Sequence, residues 1–174
     1  MIACGYVRFA SAGPALIPTM LLLTFHLGSD RLAVPAADVR EVVRAVAITP
    51  LPAAPGIVEG AIDVRGEIVP VLDLRERLGM PAKPLAIDEH LIIASAGKRR
   101  IAFRVDQADD LVEIDPGTVS TASAVSPTLR HTAGIVPHAD GTLVIPDLAG
   151  FLTAWETDAL ERALSAAARE TRNS

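Results

Sequence analysis

The stretch Gly60-Ala-Ile-Asp-Val-Arg-Gly-Glu-Ile-Val-Pro-Val-Leu-Asp-Leu-Arg75 restricts the fold more than any other part of the chain. It reads as two apolar strands hinged on Arg65-Gly66, the second ending at Asp73. Gly60 stands at a strand entry and Gly66 at the turn, where a residue without a side chain accepts backbone angles that others resist. Asp73 is suited to cap a short helix over Leu74 to Leu78, because its carboxylate accepts amide protons that a first helical turn leaves unpaired. Arg65 places a long cation at the turn. Its planar, permanently charged donor fork suits a nearby carbonyl or a partner's carboxylate. No nucleophile, metal-ligand cluster or phosphate loop accompanies it, so the stretch points to binding rather than catalysis.

The pattern of short apolar runs broken by Gly and Pro turns continues on both sides. Upstream, strands are expected over Leu21–Leu27, Arg31–Val34 and Val39–Ile48, with one helical turn at Pro35–Asp38. Thr49 to Gly56 holds three prolines and reads as a rigid loop, since proline donates nothing to a ladder. Downstream, residues 79–89 form a junction. Strands follow over His90–Ser95, Arg99–Val105, Leu111–Ile114, Thr132–Val136 and Thr142–Ile145, with a long loop at 118–131 and an Asp140-Gly141 turn. In Arg99–Val105, Ile101, Phe103 and Val105 alternate with Arg100, Ala102 and Arg104, which is the two-residue period of a strand. Strands not separated by long helical patterns disfavour a parallel α/β fold. The expectation is an all-β dominated chain: two small barrels side by side, over about 20–78 and 90–146. A short helix capped by Asp147 follows. A C-terminal helix then begins at Thr157 or Asp158 and reaches about Arg169, within a tail of 153–174. Residues 1–19 lack periodicity and read as a flexible leader.

Half of the residues are hydrophobic but only 3% are aromatic, so the core must be built from Val, Ile, Leu and Ala. The net charge of −5 argues against nucleic acid as a partner, because counterion release needs clustered Lys and Arg. The short basic run Lys98-Arg99-Arg100 reads as the solvated end of a hairpin. The single cysteine, Cys4, excludes an intrachain disulfide. No apolar run approaches the roughly twenty residues that span a bilayer, so no direct membrane insertion is expected. The four histidines form no ligand motif. The one close pair, His131 and His138 near Asp140, falls short of three or four converging ligands, and neither metal nor other cofactor is expected. The acidic run Asp106, Asp109, Asp110, Glu113, Asp115 reads as a solvated face. On the strand after Pro35, Val39, Glu41 and Val43 are expected to share one face and form the edge of a docking groove.

Taken together, these segments resemble the CheW-like family of bacterial chemosensory coupling proteins. The resemblance runs from about Leu21 to Leu152, so a single such domain is expected over 20–152. It is carried by Phe25-His-Leu-Gly28 with Leu32-Ala-Val-Pro35, by Val39-Arg-Glu41-Val42, by Leu51-Pro52 to Gly60, by Ile62 to Arg75, by Phe103-Arg-Val-Asp106, and by Gly134 to Leu152. Asp63 and Val64 replace the Asn and Leu usual before the Arg-Gly of that family. The resemblance implies two five-stranded, SH3-like barrels about a shared core. It implies a non-catalytic cytoplasmic adaptor at membrane-associated receptor arrays. The implied partners are the regulatory domain of a CheA-type histidine kinase and the cytoplasmic tip of a chemoreceptor. Positions matching Val39 and Glu41 would meet the receptor, and the arginine matching Arg65 would be needed for coupling. A scaffold that binds kinase without receptor is the alternative.

Overall fold

Ten strands pair into two antiparallel-rich sheets in the computed structural model, which describes residues 18–121 and 131–172. The expected leader falls almost wholly outside those residues, as does most of the loop expected at 118–131. The strands are β1 Met20–Leu27, β2 Asp30–Pro35, β3 Val39–Arg44, β4 Val58–Val64, β5 Glu67–Leu72, β6 His90–Ala96, β7 Arg99–Val105, β8 Gln107–Ile114, β9 Thr132–His138 and β10 Gly141–Pro146. Helix α1 spans Leu74–Arg77 and α2 spans Ala154–Arg172.

The sheets do not follow the expected division at residues 79–89. One sheet runs β8-β1-β2-β10-β9 and the other β3-β6-β7-β5-β4. The first lobe is therefore built from the first two and last three strands, and the second lobe is inserted between them. Short segments can be read locally, but which distant strand closes a ladder is a long-range choice. Both lobes use one strand order, with a single parallel pairing in each: Val144 beside Leu32, and Val71 beside Ala102.

Neither ladder closes into a full barrel. Each sheet instead curls until one isolated bridge ties its far edges, Thr49 to Ala61 in the second lobe and Ser120 to Ile135 in the first. A glycine permits each contact. A Cβ on Gly60 would lie 2.3 Å from the Thr49 carbonyl oxygen, and one on Gly134 would lie 2.5 Å from the Val119 side chain.

The central strands are buried on both faces, which explains apolar runs such as Leu91-Ile92-Ile93-Ala94. One face of each sheet meets the other in a shared core containing Leu23, Phe25, Leu72, Ile92, Ile101 and Phe103. The opposite faces fill the separate lobe interiors, around Leu22, Val136 and Leu143 in one and around Val69, Leu91 and Ile93 in the other. Burying one leucine-sized side chain contributes about 2 kcal/mol, so the shared core fixes the two lobes against each other.

Several boundaries differ from the sequence reading. Strand β3 stops at Arg44 rather than Ile48, and Ala36 to Asp38 form a hydrogen-bonded turn. Strand β8 begins at Gln107, so most of the acidic run lies on a strand paired with β1. The two-residue turn of the last hairpin is Ala139-Asp140, with Gly141 already in β10. Asp147 caps no helix; its carboxylate accepts the Gly150 amide at 3.0 Å and closes a turn. Helix α2 starts at Ala154, three or four residues before the expected Thr157 or Asp158, because Thr153 and Glu156 form a reciprocal cap: Thr153 N–H donates to Glu156 and Glu156 N–H to Thr153 Oγ1.

Candidate functional site

The Arg65-Gly66 turn joins Val64 of β4 to Glu67 of β5 with both central residues left-handed, at φ +54° and +86°. That geometry matches the right-handed twist of a hairpin but is unfavourable for a residue with a side chain. Asp63 steadies it by accepting the Gly66 amide at 2.6 Å. The Arg65 side chain is 84% exposed and donates through Nη2 to Glu41 Oε2 at 3.0 Å. Its partner is thus a carboxylate of the same chain. An exposed ion pair of this kind contributes only about 0.2–1 kcal/mol, so stability alone does not account for an arginine on a strained turn.

Glu41 and Val43 lie together on β3, but Val39 does not share their face. Val39 pairs with Ala94 and Glu41 with Ile93, so a bulge at Arg40 lets two residues of β3 advance past one of β6. Such a slip turns the side chains before it to the other side of the sheet. Accordingly Val39 packs on the shared core while Val43 packs on the interior of the second lobe. Glu41 and Arg65 form one exposed polar point, with half-buried Val43 on the same strand.

Gly60 and Gly66 hold the backbone as described, and Asp73 Oδ1 accepts the Arg75 and Glu76 amides to cap α1. Four residues after Asp73, Arg77 pairs with Glu156 at 2.7 Å and lies over the Phe151 ring, linking α1 to α2. The Thr153 amide and Arg77 hold the Glu156 carboxyl below its ordinary value, outweighing the opposing effect of burial.

A second charged constellation was not read from the sequence. Arg75 donates to Asp106 at 2.6 Å, and Lys83 donates to both Asp106 and Glu89. Arg104 donates to Glu59 at 2.6 Å, to Glu89 at 3.0 Å and to the Lys83 carbonyl at 2.8 Å. Burial alone would raise the Asp106 pKa, but bonds from Lys83, the Gly28 amide and Arg75 bring it down to about 2. Burial dominates at Glu59 and raises its pKa despite Arg104. Asp106 therefore does not belong to a solvated acidic face. The signal was present in Leu74-Arg75 and Val105-Asp106, residues separated by thirty positions and linked only by folding. Near the two histidines, Asp140 pairs with Arg31, and His131 lies edge-on to Phe151. Among the described residues no helix is long and apolar enough to cross a membrane.

The chain is similar to known proteins. The model of the CheW-like domain matches residues 21–156. The chain is 32% identical to the chemotaxis protein CheW of Rhizobium meliloti over 93 residues, 53% of this chain and 60% of that protein. It is 30% identical to a probable chemotaxis protein CheW of Rhizobium etli over 112 residues, 63% of this chain and 71% of the other. The crystal structure of the scaffolding protein TtCheW from Thermoanaerobacter tengcongensis superposes with a TM-score of 0.73 at 26% identity, covering 80% of this chain and 96% of that one. With the matched segment spanning most of its length, the chain belongs to the CheW-like domain family.

Proposed function

We propose that this protein is a non-catalytic adaptor that couples a chemoreceptor's cytoplasmic tip to the regulatory domain of a CheA-type histidine kinase, at receptor arrays on the cytoplasmic face of the membrane. The observation that carries the reading is Arg65: a guanidinium held on a left-handed turn, 84% exposed, beside a single surface carboxylate. Such a group is cheap to remove from the fold and well formed to engage a partner. On this reading Arg65, Glu41 and Val43 contact the receptor helix directly. Val39 acts from beneath, through the packing of β3. An amphipathic receptor helix meets the groove by its apolar face, and an edge of one lobe pairs with a barrel of the kinase. Receptor state changes kinase activity through this adaptor only if the adaptor binds the two states unequally.

Reconstitution with kinase and receptor tests the proposal. Arg65→Ala is expected to stay folded and to lose receptor-dependent kinase control. A folded Arg65→Ala protein with undiminished control refutes the assignment of Arg65. Kinase binding by the unaltered chain without receptor binding favours the scaffold that engages kinase alone.

A further inference from the structure

The two lobes carry equivalent grooves, both open, and among the described residues a helix lines only one of them, the second lobe's, of about 650 Å³. Aligning Asp73 with Asp147, each of which follows the hairpin of its lobe, places Pro70 on Val144. The parallel pairings then place Ile101 on Leu32 and Arg99 on Asp30. In both lobes the segment after the hairpin crosses to the other lobe. Leu148 and Leu152 pack beside β5 and β7, and Leu78 and Met80 pack beside β10 and β2. The ion pairs at the rims also correspond: Arg100 with Glu67 on one groove, Arg31 with Asp140 on the other.

The paths diverge at the next residue. Thr153 caps α2, and this helix lays Leu160 and Leu164 against the shared core beside the second lobe's groove. At the equivalent position Gly79 adopts φ +68°, and the chain turns away. The first lobe's groove, about 370 Å³, has the apolar side chains of Leu32, Leu78, Met80 and Val144 in its lining, and among the described residues no helix runs along it. The protein thus displays, on its own second lobe, the kind of element such a groove accepts. It also displays the charge that element needs. Glu161, directly after Leu160 on α2, pairs with Arg99. The counterpart of Arg99 is the exposed Asp30, whose side chain, among the described residues, accepts a long 3.4 Å contact from Ser29.

We propose that the first lobe's groove binds an amphipathic helix of another protein, one with two leucine-sized side chains four residues apart and Lys or Arg directly after the first. This site shares no residue with Val39, Glu41, Val43 or Arg65 and does not depend on the receptor assignment.

The test needs neither kinase nor receptor. A peptide of the α2 sequence, residues 154–172, carrying Glu161→Lys is titrated into the full chain labelled with ¹³C at its methionine methyls. The Met80 methyl, in the groove, is expected to shift while that of Met20 does not. The Glu161→Lys peptide is expected to bind at least tenfold more tightly than the unaltered α2 peptide. Asp30→Lys, on an exposed turn, is expected to reverse that preference, and Asp30→Asn to abolish it. The proposal is overturned by an unmoved Met80 methyl at millimolar peptide. Equal affinity for the two peptides overturns it as well.

Discussion

The two lobes are the same five-stranded pattern made from different chemistry. Equivalent strands bury Leu22 and Leu91, Leu23 and Ile92, and Ala33 and Ala102 at matching places. At the edge where the second lobe holds Glu59, Glu89 and Arg104, the first lobe holds Ala133, Met20 and Pro35. One lobe fills this position with apolar groups and the other with ions that are nearly dry: Glu89 is 1% and Arg104 9% exposed. The fold therefore does not require the ions. They matter because Arg104 also donates to the carbonyl of Lys83, and so fixes the segment joining α1 to β6.

The sharpest way to break that contrast is to remove one ion. Arg104→Met leaves Glu59 without its cation and Glu89 with Lys83 alone, and a buried charge without its partner costs several kcal/mol. We expect a loss of about 4 kcal/mol, read as a lower urea midpoint. Glu59→Ala with Glu89→Met and Arg104→Met copies the apolar solution of the first lobe and is expected to recover most of that loss, since apolar replacement of a whole buried network is often neutral. A triple variant as unstable as the single one would show that the two lobes are not interchangeable at this position.

The two bridge glycines give the next largest contrast. At Gly60 the obstacle to a Cβ is a backbone carbonyl, which cannot move without opening the Thr49–Ala61 bridge. At Gly134 it is the tip of Val119, which can rotate. Overpacking with strain costs about 1–3 kcal/mol, so Gly60→Ala is expected near the top of that range, about 3 kcal/mol, and Gly134→Ala near the bottom, about 1 kcal/mol. Equal losses in thermal or urea unfolding would contradict the distinction between main-chain and side-chain crowding.

Asp106 distinguishes the lobes by pH. Its folded pKa, about 2, lies below the ordinary 3.8. The group therefore stabilises the folded state above the unfolded value, and this contribution is lost as pH falls from about 4 towards 2. The shift corresponds to about 2 kcal/mol. Glu59 runs the other way. Its raised pKa favours the folded state in acid, so the two effects partly cancel in the total. Asp106→Asn is expected to be less stable at pH 7 and to lose about 1.5 kcal/mol less than the unaltered chain between pH 4.5 and 2.5. Parallel acid profiles for the two proteins would remove Asp106 from the account.

These contrasts show where sequence reading succeeds and where it stops. Most strands were legible because their signals are local: alternation in Arg99–Val105, and Gly or Pro at every break but the one at Asp106, between β7 and β8. The motif around Arg65 was legible because its turn, strands and cap lie within sixteen residues. The interleaving of the lobes was not legible, because β8 and β10 find β1 and β2 only across more than eighty residues. The bulge that moves Val39 off the face of Glu41 was equally hidden, since it depends on the register with β6. The start of α2 was readable and missed: Thr153-Ala-Trp-Glu156 carries the spacing of a reciprocal cap, but the Ala-rich run beyond it drew attention.

The two hairpin turns supply the smallest expected effect on stability and the most informative one. The first lobe uses Ala139-Asp140, and Asp140 folds back on Arg31. The second uses Arg65-Gly66, and Arg65 reaches outward to Glu41. Arg65→Gly relieves a left-handed residue, worth about 1 kcal/mol. It loses an exposed ion pair of about 0.2–1 kcal/mol and adds freedom to the unfolded chain, about 0.4–1 kcal/mol. The net change in stability is expected to be within about 0.5 kcal/mol. Arg65→Ala keeps the strain and loses the pair, so it should be the less stable of the two by a few tenths of a kcal/mol. If both substitutions abolish receptor-dependent kinase control while Arg65→Gly melts with the unaltered protein, the guanidinium acts on a partner and not on the fold. If control follows stability across the pair, Arg65 is a structural residue after all, and the outward turn of the second lobe has no function separate from that of the first.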